Sequence, residues 1–153
     1  MFLTSSDLGN AISAVSAEEP EIALARATSA TERSPWWPDA WHLASQAASA
    51  LGDLQRAGAA AAAAIDADPL DLRGRLLLIE VDRLRDAEAV GDHLAELREL
   101  DPNGLDLHLE VLRHAREVDD EALAREAASI VEQVIDETHP RWEVLVELRD
   151  RQG

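Results

Sequence analysis

Apolar positions recur along this chain with a helical period, and the helical runs come in pairs. Over residues 38–69, Trp41, Ala44, Ala48 and Leu51 follow at steps of three and four, which places them on one helix face. Pro38 suits the first turn of that helix, because its missing N–H would have no partner there. Leu51-Gly52-Asp53 ends the run: Gly52 tolerates the left-handed conformation that closes a helix, and Asp53 can cap the next one. A second helix carries Leu54, Ala57, Ala61, Ala64 and Ile65 on one face until Asp68-Pro69 stops it. The small residues predict two helices in close approach.

The rest of the chain repeats this design. Residues 5–17 show Leu8, Ile12 and Val15 on one face, with Ser5 or Ser6 as caps, and Pro20 opens a helix to about Glu32 that buries Ile22, Ala23, Ala27 and Ala30. Together they predict a leading hairpin over residues 5–33. In Ser34-Pro35-Trp36-Trp37-Pro38 two prolines exclude helix, so Trp36 and Trp37 are expected on a rigid extended turn. Residues 71–84 predict a helix burying Leu77, Leu78, Val81 and Leu84, and Asp86 is expected to cap a helix over 87–100 with Val90, Leu94 and Leu97 inside. Residues 105–118 read two ways. Leu105, Leu107, Leu109 and Val111 alternate like a strand, while Leu105, Leu109 and Leu112 keep a helical step; the helical neighbours favour helix. Asp119 or Asp120 caps a helix to about Glu137, and Pro140 opens a closing helix over 140–151 in which Trp142, Leu145, Val146 and Arg149 share a side.

Pro35, Pro69, Pro102 and Pro140 stand 34, 33 and 38 residues apart. With Trp41, Gly52, Ala57, Ala64 and Pro69 at their places, residues 38–69 resemble a tetratricopeptide repeat. Ala48 and Ala61 stand where that family usually has a large aromatic, and Ser45 where a Gly is common. The resemblance implies an all-α fold, a right-handed α-solenoid of antiparallel helix hairpins with about nine helices. It forms one domain over residues 1–153, with hairpin repeats at 38–69, 71–102 and 105–137 and a capping helix at 140–151. It also implies a protein–protein interaction module, in which the first helices of successive hairpins line a groove for a peptide or helix of another protein.

Composition agrees with an all-helical chain: the apolar residues are mostly Ala and Leu, with one Phe, no Tyr and few β-branched residues. There is no cysteine, which removes disulfide and thiolate chemistry. No apolar run approaches the roughly 20 residues that span a bilayer, and the first ten residues lack the basic flank of a signal peptide. A cytoplasmic protein is expected. The 31 acidic residues against 14 arginines and no lysine give a net charge of −17. Such a surface disfavours nucleic acid and anionic membranes, and it reads either as a bacterial-like compositional bias for solubility or as a field that steers in a basic partner.

No catalytic set is recognisable. There is no GxSxG, Walker-type glycine loop or HExxH, and the five histidines are scattered along the chain without metal-ligand spacing. No enzyme activity, cofactor or metal is expected. The groove implied by the resemblance is instead lined by His42 and Gln46, then Leu72, Arg75, Ile79 and Arg83, then Leu109, Arg113 and Arg116, with Asp39, Ser49, Asp82 and Asp106 beside them. Arginine suits bidentate recognition of carboxylates; the bland alternative is that these arginines pair with Glu80, Asp82, Glu110 and Glu117. The family's chaperone-tail class relies on lysines, which this chain lacks. Trp36 and Trp37 are either packed over the leading hairpin or form a hot spot for a partner. The runner-up function is a structural subunit or homodimer associating through that turn or the last helix; either monomer or homodimer is compatible with the sequence.

Overall fold

The computed structural model describes residues 19–150, and every regular element among them is an α-helix. Eight follow in order: α1 (Pro20–Arg33), α2 (Pro38–Ala50), α3 (Leu54–Ala67), α4 (Leu72–Arg85), α5 (Ala89–Leu100), α6 (Leu105–Glu117), α7 (Glu121–Val134) and α8 (Trp142–Asp150). The helix expected over residues 5–17, the ninth, lies outside the described residues. Packing divides the chain into two compact units, residues 1–89 and 90–153. The division falls between the two helices of the second repeat, so units and repeats do not coincide. In the first unit α1 packs on α2, α2 on α3, and α4 on both α2 and α3; in the second, α6 packs on α7 and α8 lies against both.

The local chemistry explains the boundaries. Pro20 and Pro38 occupy first turns. Gly52 ends α2 with φ 77°, so the N–H of Asp53 reaches the carbonyl of Ala48 at 2.9 Å and that of Gly52 reaches Ser49 at 2.9 Å. This is a Schellman closure. The Asp53 carboxylate then accepts from the N–H of Arg56 at 3.0 Å and caps α3. Residues 105–117 are helix and not strand; α6 buries a wide arc, including Leu107, Leu109, Val111 and Leu112, and that arc produced the false alternation.

One turn joins successive repeats. The carbonyls of Ser34, Asp68, Asp101 and Asp136 accept the N–H three residues on, from Trp37 (3.1 Å), Asp71 (2.9 Å), Gly104 (3.3 Å) and His139 (2.9 Å). Pro35, Pro69 and Pro102 sit second in this turn, where proline's fixed φ belongs. In the last connector that place is taken by Glu137. Pro140 therefore does not continue the proline series, and α8 begins two residues later, at Trp142.

The first unit fills its interior with alanine. Ala23, Ala27, Ala47, Ala48, Ala57 and Ala61 are all buried, and the buried Ser45 hydroxyl donates to the Ala57 carbonyl at 2.9 Å. The second relies on branched side chains, with Val90, Leu94, Leu97, Leu112, Val131 and Leu145 buried. Three expected core residues face outward instead: Ile22, Leu51 and Leu84 are 44%, 38% and 75% exposed. On α4 the place expected for Leu84 is taken by Asp82, which is 2% exposed and accepts from Arg85 Nη2 at 2.6 Å.

Candidate functional site

The fourth residue of each repeat's first helix ties that helix to the connector before it. Trp41 Nε1 donates to the Pro35 carbonyl at 2.8 Å, Arg75 Nη2 to Pro69 at 3.1 Å, and His108 Nε2 bonds Pro102 at 2.7 Å. Each contact spans six residues. The donors sit 34 and 33 residues apart, the same spacing as the prolines. The first repeat uses an indole in this role. Guanidinium and imidazole replace it because each is long, flat and carries an N–H donor.

These ties fix the register of the first helices. On α4 Ile79 is fully buried, whereas the next residue, Glu80, stands 34 residues after Gln46 and is exposed. Of the α4 residues expected to line the groove, Leu72, Arg75 and Arg83 are half-buried and Ile79 is buried. His42 and Leu109 are also core residues, 3% and 5% exposed. His42, Ile79 and Leu109 are therefore withdrawn from any partner-contacting surface, because their side chains lack solvent-accessible area.

His42 has a different task. Its Nε2 lies 2.5 Å from Asp71 Oδ2, and its Nδ1 lies 3.4 Å from Asp39 Oδ1. An ionised carboxylate only accepts, so the ring N–H donates to Asp71. The bond joins α2 to the N-cap residue of α4, so two neighbouring first helices are linked directly. Gly74 makes room for it: a Cβ there would stand 2.5 Å from the Asp71 carboxylate and 3.2 Å from the Ala64 methyl.

The arginines are engaged within the chain. Arg113 Nη1 lies 3.4 Å from Glu110 Oε1. Arg116, with 11% of its side chain exposed, contacts Glu121 at 2.6 Å. It also donates from Nε to the Leu148 carbonyl and from Nη2 to the Arg149 carbonyl, both at 2.9 Å. Those carbonyls close α8, so Arg116 caps the negative end of that helix. Arg75 is half-buried at its proline, and Arg83, Gln46 and Leu72 are half-buried on α2 and α4. Arg75, Arg113 and Arg116 thus each have a guanidinium engaged by a neighbour in their own unit.

On the Pro35–Pro38 connector, Trp36 is 65% exposed and Trp37 half-buried. An open cleft of about 400 Å³ lies between α1 and the α2–α3 turn, lined by Leu24, Thr28, Glu32, Leu51 and Arg56 among others. Among the described residues its one cation is Arg56, which donates to Thr28 Oγ1 at 3.0 Å. Among the described residues, no three His, Asp or Glu side chains gather as a metal-binding group, and no helix is long and apolar enough to cross a membrane.

Comparison with solved structures decides the fold. A thermophilic tetratricopeptide-repeat protein of Thermus thermophilus superposes with a TM-score of 0.76 at 19% identity, over 94% of this chain and 79% of that one. The fold is tetratricopeptide-like. No family model and no curated protein matches the sequence. Much of the family's signature is indeed altered here: of the three repeats, only the one at residues 38–69 keeps its tryptophan and turn glycine. The tetratricopeptide-like geometry persists because substitutes make the same hydrogen bonds.

Proposed function

We propose that this protein is a non-catalytic interaction module, which docks a peptide or helix of a partner protein on the outward face of the first helices of its repeats. In the first unit that face comprises Asp39, Gln46, Leu72, Leu76, Glu80 and Arg83. The observation that carries the reading is the His42–Asp71 bond at 2.5 Å. It holds α2 and α4 together before any partner arrives, and a preformed surface loses less conformational entropy on binding. Leu72 and Leu76 would supply apolar contact, with Arg83 setting register against a carboxylate. In the second unit, Arg113 would act in the same way from α6.

A pull-down from native lysate, comparing wild type with a Gln46→Arg/Arg83→Glu variant whose helicity is verified by circular dichroism, tests this. A partner held by the wild type and lost by the folded variant supports the reading. Retention of the same partner by both overturns it. The second reading, a homodimer through the exposed Trp36, predicts twice the monomer mass by sedimentation and its loss on Trp36→Ala.

A further inference from the structure

The connectors at residues 34–37 and 68–71 have a feature that the groove does not use. Trp36 and Leu70 hold the same place in two successive turns, directly after Pro35 and Pro69, and both stand in solvent, 65% and 71% exposed. Each turn is pinned to the helix that follows it, by Trp41 on Pro35 and by Arg75 on Pro69. Those helices, α2 and α4, pack on each other and are joined at the same end by His42 and Asp71. Helices that pack on each other have axes roughly 8–10 Å apart, so the turns that carry Trp36 and Leu70 lead into neighbouring helix starts of the first unit. Neither belongs to the core. A rigid indole and a leucine, held on proline-fixed turns, lose little freedom on being covered.

The charge around them selects what covers them. Within four residues of Trp36 or Leu70 lie the exposed carboxylates Glu32, Asp39, Asp66 and Asp68, against two exposed arginines, Arg33 and Arg73. A second copy of this chain would bring another net −17 to an edge that is itself acidic, and is repelled. A cationic, apolar segment meets both demands: its leucine-like side chains cover Trp36 and Leu70, and its cations meet the carboxylates and the face of the exposed indole. We infer that the Trp36/Leu70 edge is a second docking surface, whose occupant is a basic amphipathic segment of another protein. The inference goes beyond the α2/α4 face and does not depend on it.

The test is a titration of the whole protein, at physiological ionic strength, with a short amphipathic peptide of leucine and lysine, read by tryptophan fluorescence and calorimetry. A matching leucine–glutamate peptide serves as the charge control. The expected result is binding of the lysine peptide, with at least ~10-fold weaker binding by Trp36→Ala/Leu70→Ser and no effect of Gln46→Arg/Arg83→Glu. Trp36 and Leu70 are exposed and Gln46 and Arg83 half-buried, so the helicity of both variants is matched to wild type by circular dichroism before the titration. Equal binding by the Trp36/Leu70 variant, equal binding of the glutamate peptide, or no binding of the lysine peptide would each overturn the inference. Loss of binding only in the Gln46/Arg83 variant would overturn it too, while moving the site to the α2/α4 face. A wild-type dimer that Trp36→Ala/Leu70→Ser makes monomeric would replace the basic partner by a second copy.

Discussion

The α2–α3 and α6–α7 hairpins have the same length at every step, 67 residues apart, and yet are filled differently. Each first helix runs 13 residues and each second helix 14. Asp120 caps α7 through the N–H of Leu123 at 3.0 Å, as Asp53 caps α3. The N–H of Asp120 bonds the Ala115 carbonyl at 2.8 Å, as Asp53 bonds Ala48. Inside, however, Ser45 corresponds to Leu112, Ala44 to Val111 and Ala64 to Val131. The first hairpin closes on small residues and one satisfied hydroxyl; the second closes on branched apolar bulk. Backbone hydrogen bonding at the ends is therefore what the two repeats must share, and the packing between the ends is free to vary.

The sharpest way to break this equivalence is to exchange the fillings. Leu112 is fully buried, so Leu112→Ala leaves a cavity and should cost about 2–5 kcal/mol in denaturant unfolding. The reverse swap, Ser45→Leu, adds bulk where Ala57 lies within hydrogen-bonding distance and should cost about 1–3 kcal/mol. If both substitutions were neutral, the two interiors would be interchangeable and the contrast would fail.

Next in size is the link that only the second hairpin has. Arg116 donates to two terminal carbonyls of α8 from a largely buried position. Hydrogen bonds to charged groups contribute about 1.5–3 kcal/mol. Arg116→Met should therefore open α8 first, seen as faster amide exchange at residues 145–150 with α2 and α3 unchanged. Uniform acceleration across both hairpins would show that α8 is not separately held.

These contrasts mark how much was legible in the sequence. The helix pairs, the cap at Asp53, a cap at Asp119 or Asp120 and the left-handed turn at Gly52 all rest on local chemistry, and a local pattern announces them. The face of α4 was not legible, because the helix is buried along a wide arc that includes Asp82 as well as Leu77, Ile79 and Val81. Its register is set by Arg75 on Pro69, a contact readable only once arginine is accepted in a tryptophan's place. Arg116 and His42 were expected in the groove, and their ties within the chain were not legible for a related reason: each is made to a segment 29 or more residues away in sequence. The signal that could have found the ties was present, since Trp41, Arg75 and His108 each follow a proline by six.

A smaller effect separates the two hairpin turns. Asp119 takes φ 56° where the first hairpin has Gly52 at 77°. A side chain in that conformation costs about 1 kcal/mol or more, less for Asp than for most. Asp119→Gly should stabilise the second hairpin by a few tenths to about 1 kcal/mol, whereas Gly52→Ala should destabilise the first by about 1 kcal/mol. No atom stands within 4 Å of a Cβ built at Gly52, so that loss would report backbone strain alone. Equal and opposite shifts in the two variants would mark the turns as energetically alike apart from this one residue.

The smallest expected effect concerns the connectors that follow the two hairpins. Asp68 Oδ1 accepts the N–H of Leu70 at 3.0 Å, and Asp136 Oδ1 accepts the N–H of Thr138 at 2.9 Å. Thr138 adds its hydroxyl at 2.6 Å, which Leu70 cannot. The side-chain hydrogen bond of Thr138, with its backbone N–H second, holds the Asp136 carboxyl below the usual carboxylate range. A depressed folded pKa stabilises the connector above the unfolded value, and that stabilisation is lost as pH falls through the folded one. Thr138→Val removes only the hydroxyl, so the Asp136 titration, followed by carboxyl NMR, should move up towards the ordinary range and the acid limb should begin at higher pH. Because Asp136 is open to solvent, the change in global stability should be slight. An unmoved titration would mean that the backbone N–H alone sets the Asp136 carboxyl, making the two connectors equivalent despite their different side chains.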